Sequence, residues 1–272
     1  MNVLKPQKKQ AVLNALLEGC SIRATSRMTG VHKKTIMRLL VEAGEHCSTV
    51  MDRWMRSVHC DTIEADELWC FVGKKQRRLT PEEKLTGELG DQYTFIAFDP
   101  LTKLVPVVIV GKRTEMTTLD FVRQMRARIP NRIQLSTDGF QPYISAVKHV
   151  YGFQIDYAQI DKRYEAEDPG AGRYSPPKVT AVEIKEISGS PNYYRICTSY
   201  VERNNLTVRM QVRRFTRLTM GFSRKLRNLK AAVALYFAHY NFCRIPGALR
   251  VTPAMEAGIT DHVWNLSDLL SA

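Results

Sequence analysis

The chain has 272 residues, 44% of them apolar, so it can bury a substantial core, and its length exceeds that of one ordinary compact domain. Lys and Arg outnumber Asp and Glu by 40 to 27, a formal charge of +13, which excludes an acidic solvating chain and points to a polyanionic partner, nucleic acid ahead of a membrane. No apolar run reaches spanning length and MNVLKPQKKQ is no signal segment, so a cytoplasmic protein without a membrane partner is expected.

In chain order, apolar residues at Val12, Leu13, Leu16 and Leu17 have helical spacing and stop at Gly19. Ser21 restarts a helix over 22–28, Thr29-Gly30-Val31 supplies a turn, and a third helix is expected over 33–43 with Ile36, Leu39 and Leu40 inward. This is a helix-turn-helix layout, and Lys33, Lys34 and Arg38 lie off the apolar stripe, where a recognition helix meets DNA. Residues 42–57 read as helix or linker, which sets a first unit at 1–57 and a larger one at 58–245, followed by a tail at 246–272.

The larger unit opens on TIEADELWCFV (62–72), strand-like in its Ile, Trp, Phe and Val yet carrying three acids. A carboxylate inside such a strand loses hydration unless a cation offsets the loss. Residues 73–92 read as an exposed charged loop. YTFIAF (93–98) and KLVPVVIV (103–110) complete a three-stranded meander, with Pro106 placing the last strand at a sheet edge. A helix over 117–129 then crosses to a strand over 132–137, as in a parallel β-α-β unit, and Asp138-Gly139 ends that strand. A short helix over 141–150 and a fifth strand over 153–160 follow. The Pro- and Gly-containing stretch around 165–197 reads as an insertion holding one hairpin arm, VTAVEIKEI. A helix is expected from Ser199 to about Arg214, and AVALYFAHYNF forms an aromatic helix before Pro246. Trp69, Phe71, Tyr236, Phe237 and Phe242 read as core.

Six cysteines are too sparse for a disulfide framework, and the His46-Cys47 and His59-Cys60 pairs are poor zinc ligands because adjacent residues rarely both reach one tetrahedral ion. Carboxylates carry more chemistry. Asp66 in the acidic strand, Asp138 at a strand end and Glu202 on a helix fit a site in which carboxylates hold two divalent ions. Their hard oxygens suit Mg²⁺, with Mn²⁺ able to substitute. Strand alternation puts Glu64 and Asp66 on one face and Glu67 on the other, which favours Asp66 over Glu67, with Glu64 a competitor. Glu202, Leu206, Arg209 and Arg213 recur at helical steps, so one face is expected to present an acid followed by two guanidinium groups for DNA phosphates.

TIEADELWCFVGKK, LSTDGFQPY and SYVERNNLTVR, in that order and with Lys162-Arg163-Tyr164 between the last two, resemble the catalytic blocks of the insertion-sequence-one family of bacterial transposases. The resemblance covers most of residues 61–239 and implies an α/β, RNase H-like mixed sheet flanked by helices, with Asp66, Asp138 and Glu202 as the DDE catalytic and metal-binding triad. It further implies a metal-dependent transposase that binds the double-stranded DNA ends of its mobile element, cleaves a phosphodiester and transfers the strand to target DNA as a homo-oligomer in a bacterial, nucleoid-associated setting. The chain departs from the family in lacking a cysteine-rich zinc segment before the helix-turn-helix and in carrying the 165–197 insertion. A structure-selective nuclease of the same fold and an inert DNA-binding regulator are the alternative readings.

Overall fold

A computed structural model describes residues 4–165 and 178–272. The first unit is helical: α1 (Pro6–Leu17) starts on a proline, α2 (Ile22–Thr29) is capped by Ser21 Oγ accepting from Ala24 N and ends at left-handed Gly30. The third helix, α3 (Lys33–Trp54), runs eleven residues beyond the expected stop at Ala43, so the stretch read as helix or linker is continuous helix. Its inner face, with Leu40, Ala43, Cys47, Val50 and Met51, belongs to the same apolar core as Ile63, Phe95 and Leu135 of the sheet.

Six strands form one sheet: β1 (Thr62–Val72), β2 (Gly90–Phe98), β3 (Val107–Gly111), β4 (Gln134–Asp138), β5 (Asp156–Glu165) and β6 (Lys178–Ser188), in the spatial order β3-β2-β1-β4-β5-β6. The first three make an antiparallel meander, and β4 and β5 add in parallel after α5 (Glu115–Arg128) and α6 (Pro142–Tyr151). That topology is RNase H-like. β3 is the edge strand that Pro106 required, starting just after it. β6 pairs antiparallel with β5, so the hairpin arm read in the insertion extends the sheet by one strand. The charged stretch 73–92 is less irregular than expected: a 3-10 turn at Gln76–Arg78 precedes α4 (Pro81–Leu85), which Thr80 and Glu83 close with reciprocal capping bonds.

Alternation along β1 sorts its side chains. Ile63 and Ala65 enter one core, under α3, α5 and α6, whereas Leu68, Cys70 and Val72 enter the other, under α7 (Ser199–Gln211) and α8 (Leu226–Phe242). Tyr236, Phe237 and Phe242 are buried as expected, while Trp69 and Phe71 are half-buried. Asn241, fully buried on α8, accepts from Val105 N (3.0 Å) and donates to Val105 O (2.9 Å), which ties α8 to the approach of β3. A short α9 (Pro253–Glu256), capped by Thr252, and α10 (Leu266–Ser271) close the chain, and Trp264 stacks on Phe242 at 4.5 Å. No helix among the described residues is long and apolar enough to cross a membrane.

The first unit is fixed to the second by a close helix crossing. A Cβ added at Gly44 of α3 would stand 2.2 Å from the carbonyl oxygen of Ala231 on α8, so only glycine permits this approach. Gly44→Ala is therefore expected to cost about 3 kcal/mol by forcing the two helices apart. Urea unfolding of the two proteins measures it, and equal midpoints would mean that the crossing relaxes freely.

Candidate active site

The site forms where β4 stops and β1 does not. Parallel pairing of the two strands ends at Ala65↔Thr137, so Asp66 and Asp138 are the next residues on neighbouring strands, at the carboxyl edge of the sheet. The strand order reverses between β1 and β4, and the crevice at such a reversal is where open α/β sheets bind ligands. Oxygens of Asp66, Glu67 and Asp138 lie within 4.8 Å of one another, and this is the one group among the described residues with metal-ligand spacing. The His-Cys pairs form no such group, and all six cysteines are free.

Burial makes the cluster electrostatically costly. It is the main cause that pushes Asp66 up to about 6 and Glu67 up to about 7, and the charge of Asp138 adds to both. Hydrogen bonds from Glu67 N (2.8 Å) and Asn205 Nδ2 (2.8 Å) offset part of the cost at Asp66. Glu67 Oε1 is buried without a hydrogen-bond partner, as is the hydroxyl of Tyr143 beside it. Close-set, under-neutralised carboxylate oxygens with an orphaned acceptor are a donor set that fits a hard divalent cation.

The three acids of β1 have different tasks. Glu64, fully buried, accepts from Val201 N (2.9 Å) in the first turn of α7, a helix whose own N-cap, Thr198, makes no side-chain capping bond. Its carboxylate thus satisfies an exposed end of the helix from across the core and complements the helix dipole, although burial holds its pKa up. Asp66, on the same face as strand alternation places it, meets α7 one turn later through Asn205. Glu67 points to the opposite face, towards Arg113 and Tyr143, yet its carboxylate still reaches Asp138 because nothing extends β4 between them.

Glu202 stands on α7 between the residues that contact Glu64 and Asp66, and its charge acts on both acids. It lies outside the 4.8 Å cluster. Its Oε1 is held by Lys162 of β5 and by Thr198 Oγ1 (2.9 Å). Arg113, just past β3, bridges Glu67 Oε2 (2.9 Å) and Asp138 Oδ2 (3.0 Å) and packs over Phe140 at 3.9 Å. Each side of the crevice therefore has a cation in contact with its acids. Neither Arg113 nor Asn205 was foreseen as a site residue, but both had a signal. β3 runs parallel to β1 through the meander, so the residue after β3 falls at the edge where Asp66 lies, and Asn205 follows Glu202 by three helical positions.

The arginine face was only partly right. α7 ends at Gln211, and Arg213 begins a separate 3-10 turn (Arg213–Phe215), because the backbone of Val212 turns extended, so Arg213 does not continue the stripe of Glu202 and Arg209. Arg209 is half-buried near Asp66 and Arg217, while Lys33, Lys34 and Arg38 are exposed at the start of α3, where Arg38 pairs with Glu42 at 3.6 Å.

Fold and site together define an RNase H-like domain with an acidic cluster at the carboxyl edge of its central strands. No family model and no curated protein matches the chain. Among solved structures it is similar to a Mos1 transposase paired-end complex with the left transposon end, at 13% identity and TM-score 0.21 over 55% of this chain and 59% of that one. A pre-cleavage Mos1 transpososome (11%, TM-score 0.22, 58% and 61%) and a Mos1 mariner paired end complex with Mn (12%, TM-score 0.21, 55% and 59%) are similar to the same extent. The chain spans about three fifths of the length of each, and likeness of this degree carries no inference about activity.

Proposed function

We propose that this protein is a DNA transposase of the DDE class, resembling the insertion-sequence-one family, with Asp66, Asp138 and Glu202 as its catalytic acids. The observation that carries the reading is the adjacency of Asp66 and Asp138 at the end of the β1–β4 pairing, with Glu202 presented by α7 on the face of Asp66. These acids would hold a divalent metal, Mg²⁺ or Mn²⁺ and two ions when fully loaded, which would supply activation of the attacking oxygen and stabilisation of the leaving oxygen of a phosphodiester. Asn205 orients Asp66 by its hydrogen bond. Lys162 and Arg113 neutralise Glu202 and Asp138 until substrate is present. Lys33, Lys34, Arg38, Arg209 and Arg213 offer cations for duplex phosphates, and pairing of two element ends requires a homo-oligomer.

The protein incubated with Mg²⁺ or Mn²⁺ and paired element-end DNA is expected to nick and then join strands. Nicking without joining supports the nuclease reading, which the same acidic cluster permits. Retention of DNA without scission leaves only the regulator.

Arg113 gives a separate check on the acids. A cation that binds Asp138 competes with this guanidinium, so Arg113→Gln is expected to tighten Mn²⁺ binding about tenfold, on the order of one pKa-unit equivalent of charge interaction. Mn²⁺ titration followed by electron paramagnetic resonance reads it without DNA. Unaltered affinity would place the metal away from Asp138 and Glu67.

A further inference from the structure

Between the helical unit and the catalytic unit lies a cleft of about 990 Å³ whose walls carry many cations. Arg23 and Arg38 come from α2 and α3, and Arg213, Arg214, Arg224 and Lys225 come from the segment that joins α7 to α8. Of these, only Arg38 has an acidic partner among the described residues, through Glu42. Arg214 is partly buried and donates to Ser223 Oγ (2.8 Å), and burial without a compensating carboxylate pushes its pKa down to about 10. Arg227 on the same wall pairs with Glu45, but the cations of the cleft still outnumber their internal counter-ions, an imbalance that is unfavourable for the empty protein and that an external polyanion removes.

The segment is held in place. Ser223 bridges to Val72 and accepts from Gly73 N (2.8 Å), Phe222 packs on Phe71 at 4.6 Å, and Gly221 approaches the Arg213 carbonyl so closely that a Cβ would stand 2.6 Å away. Cations fixed on a folded wall bind with less ordering cost than the same residues on a free loop. The wall is also continuous with the acidic site by two routes. From Glu202 to the end of α7 is about 14 Å at 1.5 Å per residue. From Asp66 to Val72 along β1 is about 20 Å at 3.3 Å per residue. On duplex DNA at about 3.4 Å per base pair, the two routes amount to about four and about six base pairs, close to half a turn.

We propose that this cleft binds the sugar–phosphate backbone of the DNA whose reacting phosphodiester lies at Asp66 and Asp138, about half a turn from that phosphodiester. The inference deepens the transposase reading and rests on it. It assigns DNA-holding to the segment between α7 and α8 and makes the helical unit and the catalytic unit two jaws on one strand, with Arg38 turned to the cleft. Arginine forks suit phosphate oxygens, and the cleft contributes phosphate contacts without reading bases.

The test compares two triple variants of the full-length protein in metal-free DNA binding, followed by fluorescence anisotropy over a range of salt. One variant reverses exposed cations of the cleft, Arg23→Glu, Arg224→Glu and Lys225→Glu. The other makes the same change of net charge outside it, Lys84→Glu, Lys148→Glu and Arg250→Glu. The cleft variant is expected to lose at least about tenfold in affinity and to lower the salt slope by about 2 to 3, whereas the control changes affinity by less than about threefold. The single Arg224→Ala, too mild to threaten folding, is expected to lower the slope by about 1. Equal losses in the two triple variants, or an unchanged slope in both cleft variants, overturn the assignment. A wild-type protein that binds no DNA sinks the underlying functional reading instead.

Discussion

Asp66→Asn is expected to abolish DNA scission, by about 10³-fold or more, and at the same time to stabilise the metal-free protein. The rate effect follows from loss of a ligand charge that contributes several kcal/mol at the transition state. The stability effect follows from burial, which raises the Asp66 carboxyl from 3.8 to about 6. A carboxyl with a raised pKa in the fold is neutral in both states at low pH and imposes no cost there. The cost appears as pH rises through the ordinary carboxylate range and is complete above about 6. The wild-type protein should therefore melt below Asp66→Asn at pH 7, by an amount equivalent to about 3 kcal/mol, and the two should converge near pH 4. Asparagine keeps the size of the side chain, so DNA binding should persist. Differential scanning calorimetry at the two pH values and a cleavage assay check both halves. A variant that cuts at the wild-type rate removes Asp66 from the chemistry, and a variant less stable at pH 7 means that Asp66 is already neutralised in the fold.

Much of the frame that produces this effect is visible in the residues themselves. The meander, the crossover helix and the edge position of β3 follow from β-rich apolar runs, helical spacing in 117–129 and Pro106, all of which are local signals. Asp66 and Asp138 could be placed side by side because an acid inside a buried strand and an Asp-Gly at a strand end each violate their local pattern, and such violations concentrate where ligands bind. What stayed hidden depends on partners distant in the chain. The length of α3 is set by α8, on which Gly44 packs, and a lone glycine between Glu42 and Ser57 permits that contact without naming its distant partner. The role of Glu64 depends on α7 arriving without a cap of its own, 137 residues later. The early end of α7 was missed because Val212 and Arg213 carry no breaker, and tertiary packing of Val212 and Phe215 overrides weak helix propensity there.

The same geometry makes the identity of the third acid a sharp question, because two side chains compete for it. Glu67 is the nearer, within 4.8 Å of both aspartates, but its side chain is only 2% exposed, sits on the face opposite Asp66 and is bound to Arg113. Glu202 is farther and is held by Lys162, but its side chain is 44% exposed and stands on the face of Asp66. A group that must meet both cation and DNA has to be open to solvent, and a carboxyl raised to about 7 by burial is already half protonated at neutral pH. Glu202→Gln is therefore expected to lose about 10² to 10³-fold in scission with DNA affinity retained, whereas Glu67→Gln should stay within about tenfold of wild type. In Glu202→Gln the Lys162 ammonium loses its anionic partner but keeps Thr198 Oγ1 at 3.2 Å, so folding should survive and the comparison remains interpretable. Single-turnover cleavage in Mn²⁺ by both variants decides between them. An inactive Glu67→Gln beside an active Glu202→Gln would move the third ligand to β1, and Glu202 would then be left as the partner that positions Lys162 and the start of α7.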